Sequence, residues 1–145
     1  MISRKASNHE KAAFGEARAH ETMTAKGYEP VGRTDGVYQQ GQTGIDGLYR
    51  NPNPPPDFVV TEAKFGKARL GRLKGGIKQM DDRWVRRNLD NIVDPNTNPA
   101  LADEVERAWR AGRVDKYLIR VKPDGTRTVK ALDADARIIG DAPGF

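Results

Sequence analysis

The sequence predicts an α/β (α+β) domain in which a mixed central β-sheet is flanked by helices. Three observations predict it. A capping box, Ser7 with Glu10, opens a helical stretch near the N-terminus. Two runs rich in β-formers, Gly44–Arg50 and Asp57–Gly66, flank the proline-rich connector Asn51–Pro56, which has too few N–H groups for a ladder. After two further helical segments, a second hairpin turns at Pro123–Thr126. The order helix, strands, helix, helix, hairpin makes a mixed sheet with helices packed on it. The 145 residues are expected to form a single domain (1–145), with a core over 8–89, a C-terminal helix and hairpin over 99–132 and a tail over 133–145.

Composition narrows the function classes. With 37% hydrophobic and 31% charged residues the chain is polar and globular in type. It has no apolar run of the roughly eighteen residues that a membrane-spanning helix needs, and Met1–Ser7 has no apolar h-region. The absence of cysteine excludes disulfides, thiol catalysis and thiolate zinc sites. A net charge of +5 points to an anionic partner.

The first helix is expected over Asn8–Lys26, closed by Gly27 at C′. Ala12, Glu16, Ala19 and Met23 fall on one stripe, so an acid lies inside the buried face, where the small alanines could leave it near solvent. Glu21 belongs to a rival stripe with Phe14 and Ala17. His9 and His20 match no zinc spacing and read as surface or helix-flank residues. From Tyr28 to Thr43 the pattern weakens: a short strand is expected around Val31 and Val37–Gln39, with Asp35-Gly36 as a turn and Gln42 as an amide at a site edge.

Alternation in the first hairpin carries the chemistry. Phe58, Val60, Glu62 and Lys64 share one face of their strand, and Val59, Thr61 and Ala63 the other. If the connector centres on Pro54, Asp46 stands opposite Glu62, and cross-strand partners have Cβ atoms about 5 Å apart. Two facing carboxylates repel, so the pair is favourable when a cation lies between them. Hard oxygen ligands suit Mg²⁺.

The most skewed charge follows at once. Lys67, Arg69, Arg72, Lys74, Lys78, Arg83, Arg86 and Arg87 stand against only Asp81 and Asp82, where a phosphate backbone entering the site would lie. Gly75-Gly76 interrupts this stretch, and a helix is expected over Ile77–Leu89 with Ile77, Met80 and Trp84 buried and Gln79 on another face. Trp84 reads as a core anchor. Asn98 and Pro99 begin the next helix as N-cap and N1. It runs to about Ala111, its acids early and its arginines late, and Leu101, Val105 and Ala108 pack inward. Strands are expected over Lys116–Lys122 and Arg127–Leu132, with Tyr117, Ile119 and Val121 on one face, and the tail has no strong pattern beyond Ile138-Ile139.

Asp46 in Gly-Ile-Asp, followed by Glu62-Ala63-Lys64, resembles the core of PD-(D/E)XK nucleases, in the form found in C-terminal nuclease domains of bacterial polymorphic toxins. In that family the first helix commonly supplies a glutamate from a Gly-Glu pair, matched by Gly15-Glu16, and the helix after the Glu-x-Lys strand a glutamine, matched by Gln79. The literal Pro56-Asp57 is a decoy, five residues before Glu62. The resemblance implies metal-assisted phosphodiester hydrolysis, with Asp46, Glu62 and Glu16 holding Mg²⁺ or Mn²⁺, Lys64 stabilising developing charge, Gln79 assisting, and the eight cations binding nucleic acid. It also implies a monomeric DNase toxin, cut from a longer secreted protein, delivered by contact-dependent or type VI secretion into the cytoplasm of a target bacterium. An acidic immunity protein would neutralise it. The alternatives are a tRNA-cleaving RNase with the same site, a repair or restriction nuclease, and a basic nucleic-acid-binding module without turnover.

Overall fold

The computed structural model describes residues 2–40 and 44–145. Helix α1, Asn8–Ala25, starts as its capping box requires: the Ser7 hydroxyl accepts from the Glu10 N–H and the Glu10 carboxylate from the Ser7 N–H, both at 3.1 Å. Gly27 follows the C-cap at φ +86°, which a residue with a Cβ seldom adopts.

Six strands form one sheet in chain order: β1 Glu29–Pro30, β2 Gly47–Arg50, β3 Phe58–Phe65, β4 Val114–Val121, β5 Arg127–Leu132 and β6 Ile138–Asp141. All neighbours are antiparallel except β3 and β4, which are parallel, so the sheet is mixed as expected. Parallel pairing needs a long crossover, and that crossover carries α2, Asp82–Ile92, and α3, Pro99–Arg110. The register of β2 on β3 is the expected one, Gly47 opposite Thr61 through Arg50 opposite Phe58. Asn51 orders the connector, donating to the Pro56 carbonyl at 2.8 Å and accepting from the Asn53 N–H at 3.0 Å.

Alternation sorts the core into two layers. Val59, Tyr49, Tyr117, Ile119 and Val121 pack under Ala19 and Met23 of α1. On the opposite face Leu48, Phe58, Val60 and Leu118 pack with Val85, Leu89 and Ile92 of α2 and with Val105 and Ala108 of α3. Each large apolar side chain buried here contributes about 1.5–3 kcal/mol. Lys116 is the exception in the second layer: it is buried, donates to the Met80 carbonyl at 2.7 Å and pairs with Asp82 at 2.8 Å, which ties the start of α2 to the sheet. Arg50 grips Glu104 with two hydrogen bonds, at 2.5 and 3.0 Å, and holds α3 to β2.

Three expectations are corrected. The helix expected from Ile77 begins at Asp82, because Asp81 is the stronger N-cap and accepts from the N–H groups of Trp84 and Lys78 at 2.8 and 2.9 Å. Met80, at φ +71°, prevents helix before it. Gln79 and Lys78 therefore lie in a lead-in rather than on a helix. Val37–Gln39 is not a strand; β1 is only Glu29–Pro30, and Pro30 can donate no ladder bond. The tail is tied down: β6 pairs with β5, and Phe145 stacks on Tyr28 at 6.0 Å and meets Tyr117 edge-on at 5.9 Å. Gln42 lies outside the described residues.

Gly47 has no room for a side chain, since a Cβ there would lie 2.5 Å from Thr61 Oγ1 and 2.7 Å from Tyr49 Cε2. Both neighbours are buried. Gly47→Ala is expected to destabilise the fold by about 1–3 kcal/mol, read as a lower urea midpoint; an unchanged midpoint would show that this edge of the sheet yields freely.

Candidate active site

β2 begins at Gly47, opposite Thr61, while β3 continues to Phe65, so among the described residues Glu62–Phe65 has a strand partner only in β4. That open edge is reached from both layers. A cleft of about 600 Å³ forms over it, walled by α1 on one side and by the segment after β3 on the other. Trp84, expected as a core anchor, is buried at its floor.

Asp46 immediately precedes β2, so the register carries it opposite Glu62. Its Oδ2 accepts from the Ala63 N–H at 2.9 Å, which turns the carboxylate inward onto β3. Glu62 is 3% exposed. Its Oε2 accepts from the Gln79 side-chain amide and lies 3.7 Å from Lys64 Nζ. Its Oε1 is buried with no hydrogen-bond partner among the described residues. Burial pushes the Glu62 carboxyl well above the usual range, and the neighbouring Asp46 pushes it further, with Lys64 opposing. Burial also raises Asp46, opposed by the proton that Glu62 would share with it when protonated, by the Ala63 N–H and by Lys64. Glu16 lines the same cleft from α1; burial, then Asp46 and Asp35, lift its carboxyl to about 8. Such a cluster favours either bound protons or a cation.

Among the described residues no three carboxylate or imidazole groups close into a ready-made metal cage. Glu16 faces Asp46 across the cleft without completing a triad with Glu62. Mg²⁺ typically needs only one or two protein carboxylates, the rest of its shell being water and phosphate oxygens, so Asp46 and Glu62 with its unpartnered oxygen fit the ion.

Gln79 joins the site from the lead-in to α2. Its amide donates to Glu62 while its Oε1 accepts from the Gly71 N–H at 3.1 Å. Residues 71–79 fold back on themselves through Leu73 N–H to Ile77 O (2.7 Å) and Gln79 N–H to Gly71 O (2.8 Å), with a 3₁₀ turn at Lys74–Gly76. The result is a short arm overhanging the cleft. Lys67, Arg69, Arg72 and Lys74 are exposed on this segment, beside the cleft residues Ala68, Gly71 and Leu73. The other four cations are placed differently. Lys78 donates to the Ala136 carbonyl at 3.1 Å, Arg83 to the Gly76 carbonyl at 3.1 Å, and Arg86 pairs with Glu106 of α3 at 2.8 Å. Arg87 is exposed on α2.

Other residues depart from their expected places. Glu21 pairs with Arg18 and Arg127, away from the cleft. His20 is half-buried, its Nδ1 2.8 Å from the Tyr49 hydroxyl, rather than on the surface. Tyr49 is itself raised by burial and by Glu16, Asp46 and Asp35. Asp35 and the cleft residues Asn8 and Lys11 carry no signal in the sequence that sets them apart from ordinary polar positions. Asp57 pairs with Arg113 at 2.8 Å, at the far end of β3. No family model, no curated protein and no solved structure matches the chain, so the chemistry rests on this geometry.

The fold raises the pKa of Glu16 from 4.5 to about 8, so it favours the protonated form. The stability this group contributes is fully present below about 4.5 and is lost as pH rises through about 8. In EDTA the melting temperature is expected to fall across that window, and Glu16→Gln to flatten the fall. Wild type and variant melting with the same pH slope would contradict it.

Proposed function

We propose that this protein is a metal-dependent endonuclease of PD-(D/E)XK type that hydrolyses phosphodiester bonds of DNA. The observation that carries the reading is the facing of Asp46 and Glu62 at the floor of a cleft, with a buried Glu62 oxygen lacking a partner. A protein that only bound nucleic acid would have no use for a buried carboxylate set against a second, half-buried one.

The chain's own groups divide the work. Asp46 and Glu62 would hold the ion, with Glu16 reaching it through water. When bound there, Mg²⁺ or Mn²⁺ supplies Lewis acidity to the phosphoryl oxygen and acidity to a bound water. Lys64, 3.7 Å from Glu62 and partly shielded from solvent, offers a fixed positive charge for the oxygens that gain charge in the transition state. Gln79 holds Glu62 and the arm in one arrangement. Lys67, Arg69, Arg72 and Lys74 lie where the flanking phosphates would run, and such contacts give affinity without sequence information.

The toxin reading is supported by the Gly-Ile-Asp and Glu-Ala-Lys likeness together with a basic cleft rim. On it, the domain acts in the cytoplasm of a target bacterium and an acidic immunity protein covers the rim in the producer. Expression in a bacterial cytoplasm should then arrest growth with loss of DNA, and Glu62→Ala should restore growth. Arrest that persists with Glu62→Ala would sink the toxin reading.

Supercoiled plasmid and total tRNA, each with Mg²⁺ or EDTA, test the activity. Plasmid cleavage is expected to need the metal, to fall at least about a thousandfold in Glu62→Ala and about a hundredfold or more in Lys64→Ala. Cleavage of tRNA alone would move the substrate to RNA; cleavage of neither removes the nuclease reading. Arg72→Gln and Lys74→Gln should instead weaken binding, each lowering the slope of log K against log salt by about one.

A further inference from the structure

The acid at the centre of the site is also its least accessible group. Glu62 is 3% exposed and lies at the bottom of a concave cleft of about 600 Å³. That volume is in the range of small-molecule pockets, roughly 300–1,000 Å³, so it admits a nucleotide. A duplex carries its phosphates outside and its bases stacked inside, so a base enters such a pocket only when its nucleotide leaves the stack.

The walls differ in chemistry from the rim. Leu73 sits on the arm, 52% exposed, and takes no part in either apolar core layer. It lines the cleft with Ala12 of α1, Ala68 and Phe65. Phe65 is held in place by edge-on contact with Phe14 at 6.2 Å. Lys74, next to Leu73 on the arm, is exposed, and Lys11 of α1 lines the cleft beside Ala12. An apolar or aromatic wall beside a cationic track is how proteins grip single strands, because every base has an apolar face and every linkage a negative charge.

We infer that the cleft takes a single unpaired strand, with one base seated against Leu73 and Phe65 while its phosphate lies at Glu62 and Lys64. This rests on the nuclease reading above. It makes Leu73 a specificity residue, and it makes unpaired DNA, or RNA of the same form, the preferred substrate over duplex.

The test measures kcat/KM with Mg²⁺ on one DNA strand alone, annealed to its full complement, and annealed so as to leave a short gap, with an RNA strand of the same sequence in parallel. The single strand and the gap are expected to be cut at least about tenfold faster than the duplex, and Leu73→Ser to raise KM on the single strand about fivefold. Leu73 is outside the core, so the variant should melt with the wild type, which separates loss of the seat from loss of the fold. The RNA arm decides which sugar is accepted. Equal rates on duplex and single strand, with no effect of Leu73→Ser while Glu62→Ala abolishes both, would overturn the base seat and leave the nuclease standing. If the wild type cuts nothing, the nuclease reading fails, and the seat is judged by fluorescence of a 2-aminopurine strand in Ca²⁺. A change in that fluorescence on binding which Leu73→Ser abolishes would keep it; no change on binding would overturn it.

Discussion

Asp46, half-buried, and Glu62, buried, face each other across the end of a strand pair, and most of the surrounding arrangement answers that repulsion. Asp46 is drawn onto the Ala63 N–H. Glu62 is held by Gln79 and approached by Lys64. These contacts compensate the pair only in part, because one Glu62 oxygen stays without a partner and both carboxyls keep raised affinities for protons. Buried charge of this kind is costly in a fold that gains its stability from apolar layers. It is therefore confined to one edge, where β3 runs on past β2 and the two apolar layers no longer meet.

The parts of the molecule that could be read from the sequence are those governed by local rules. The Ser7/Glu10 box, Asn98-Pro99 and the Pro123–Thr126 turn each satisfy backbone groups within a few residues, and each is found as expected. The β2–β3 register was legible for the same reason: a short connector centred on Pro54 leaves one pairing, Leu48 opposite Val60 and Arg50 opposite Phe58. With the register came the Asp46/Glu62 juxtaposition.

What was not legible depends on distant partners. Asp81 is a local cap, but the positive φ of Met80 that rules out an earlier start is not written near Ile77, and Lys116 holds Met80 and Asp82 from a strand far along the chain. Gln79 reached the site all the same, from a lead-in instead of a helix face. Arg86 belongs with the basic run in sequence, yet α3 claims it through Glu106. His20 looked superficial because its partner, Tyr49, is across the α1–sheet interface.

The parallel pairing of β3 with β4 has a consequence for assembly. Among the described residues, Glu62, Ala63, Lys64 and Phe65 have strand partners only in Leu118 to Val121, beyond both crossover helices. Non-local pairing of this sort is slow, because the loop must close before the contacts form. The hairpin that carries the acids can arise early, but the strand end that presents them is fixed only when β4 arrives. A chain still emerging from a ribosome, or threaded through a narrow channel as an extended polymer, carries every chemical group of the site and no formed site. Competence comes only once β4 is free to pair with β3.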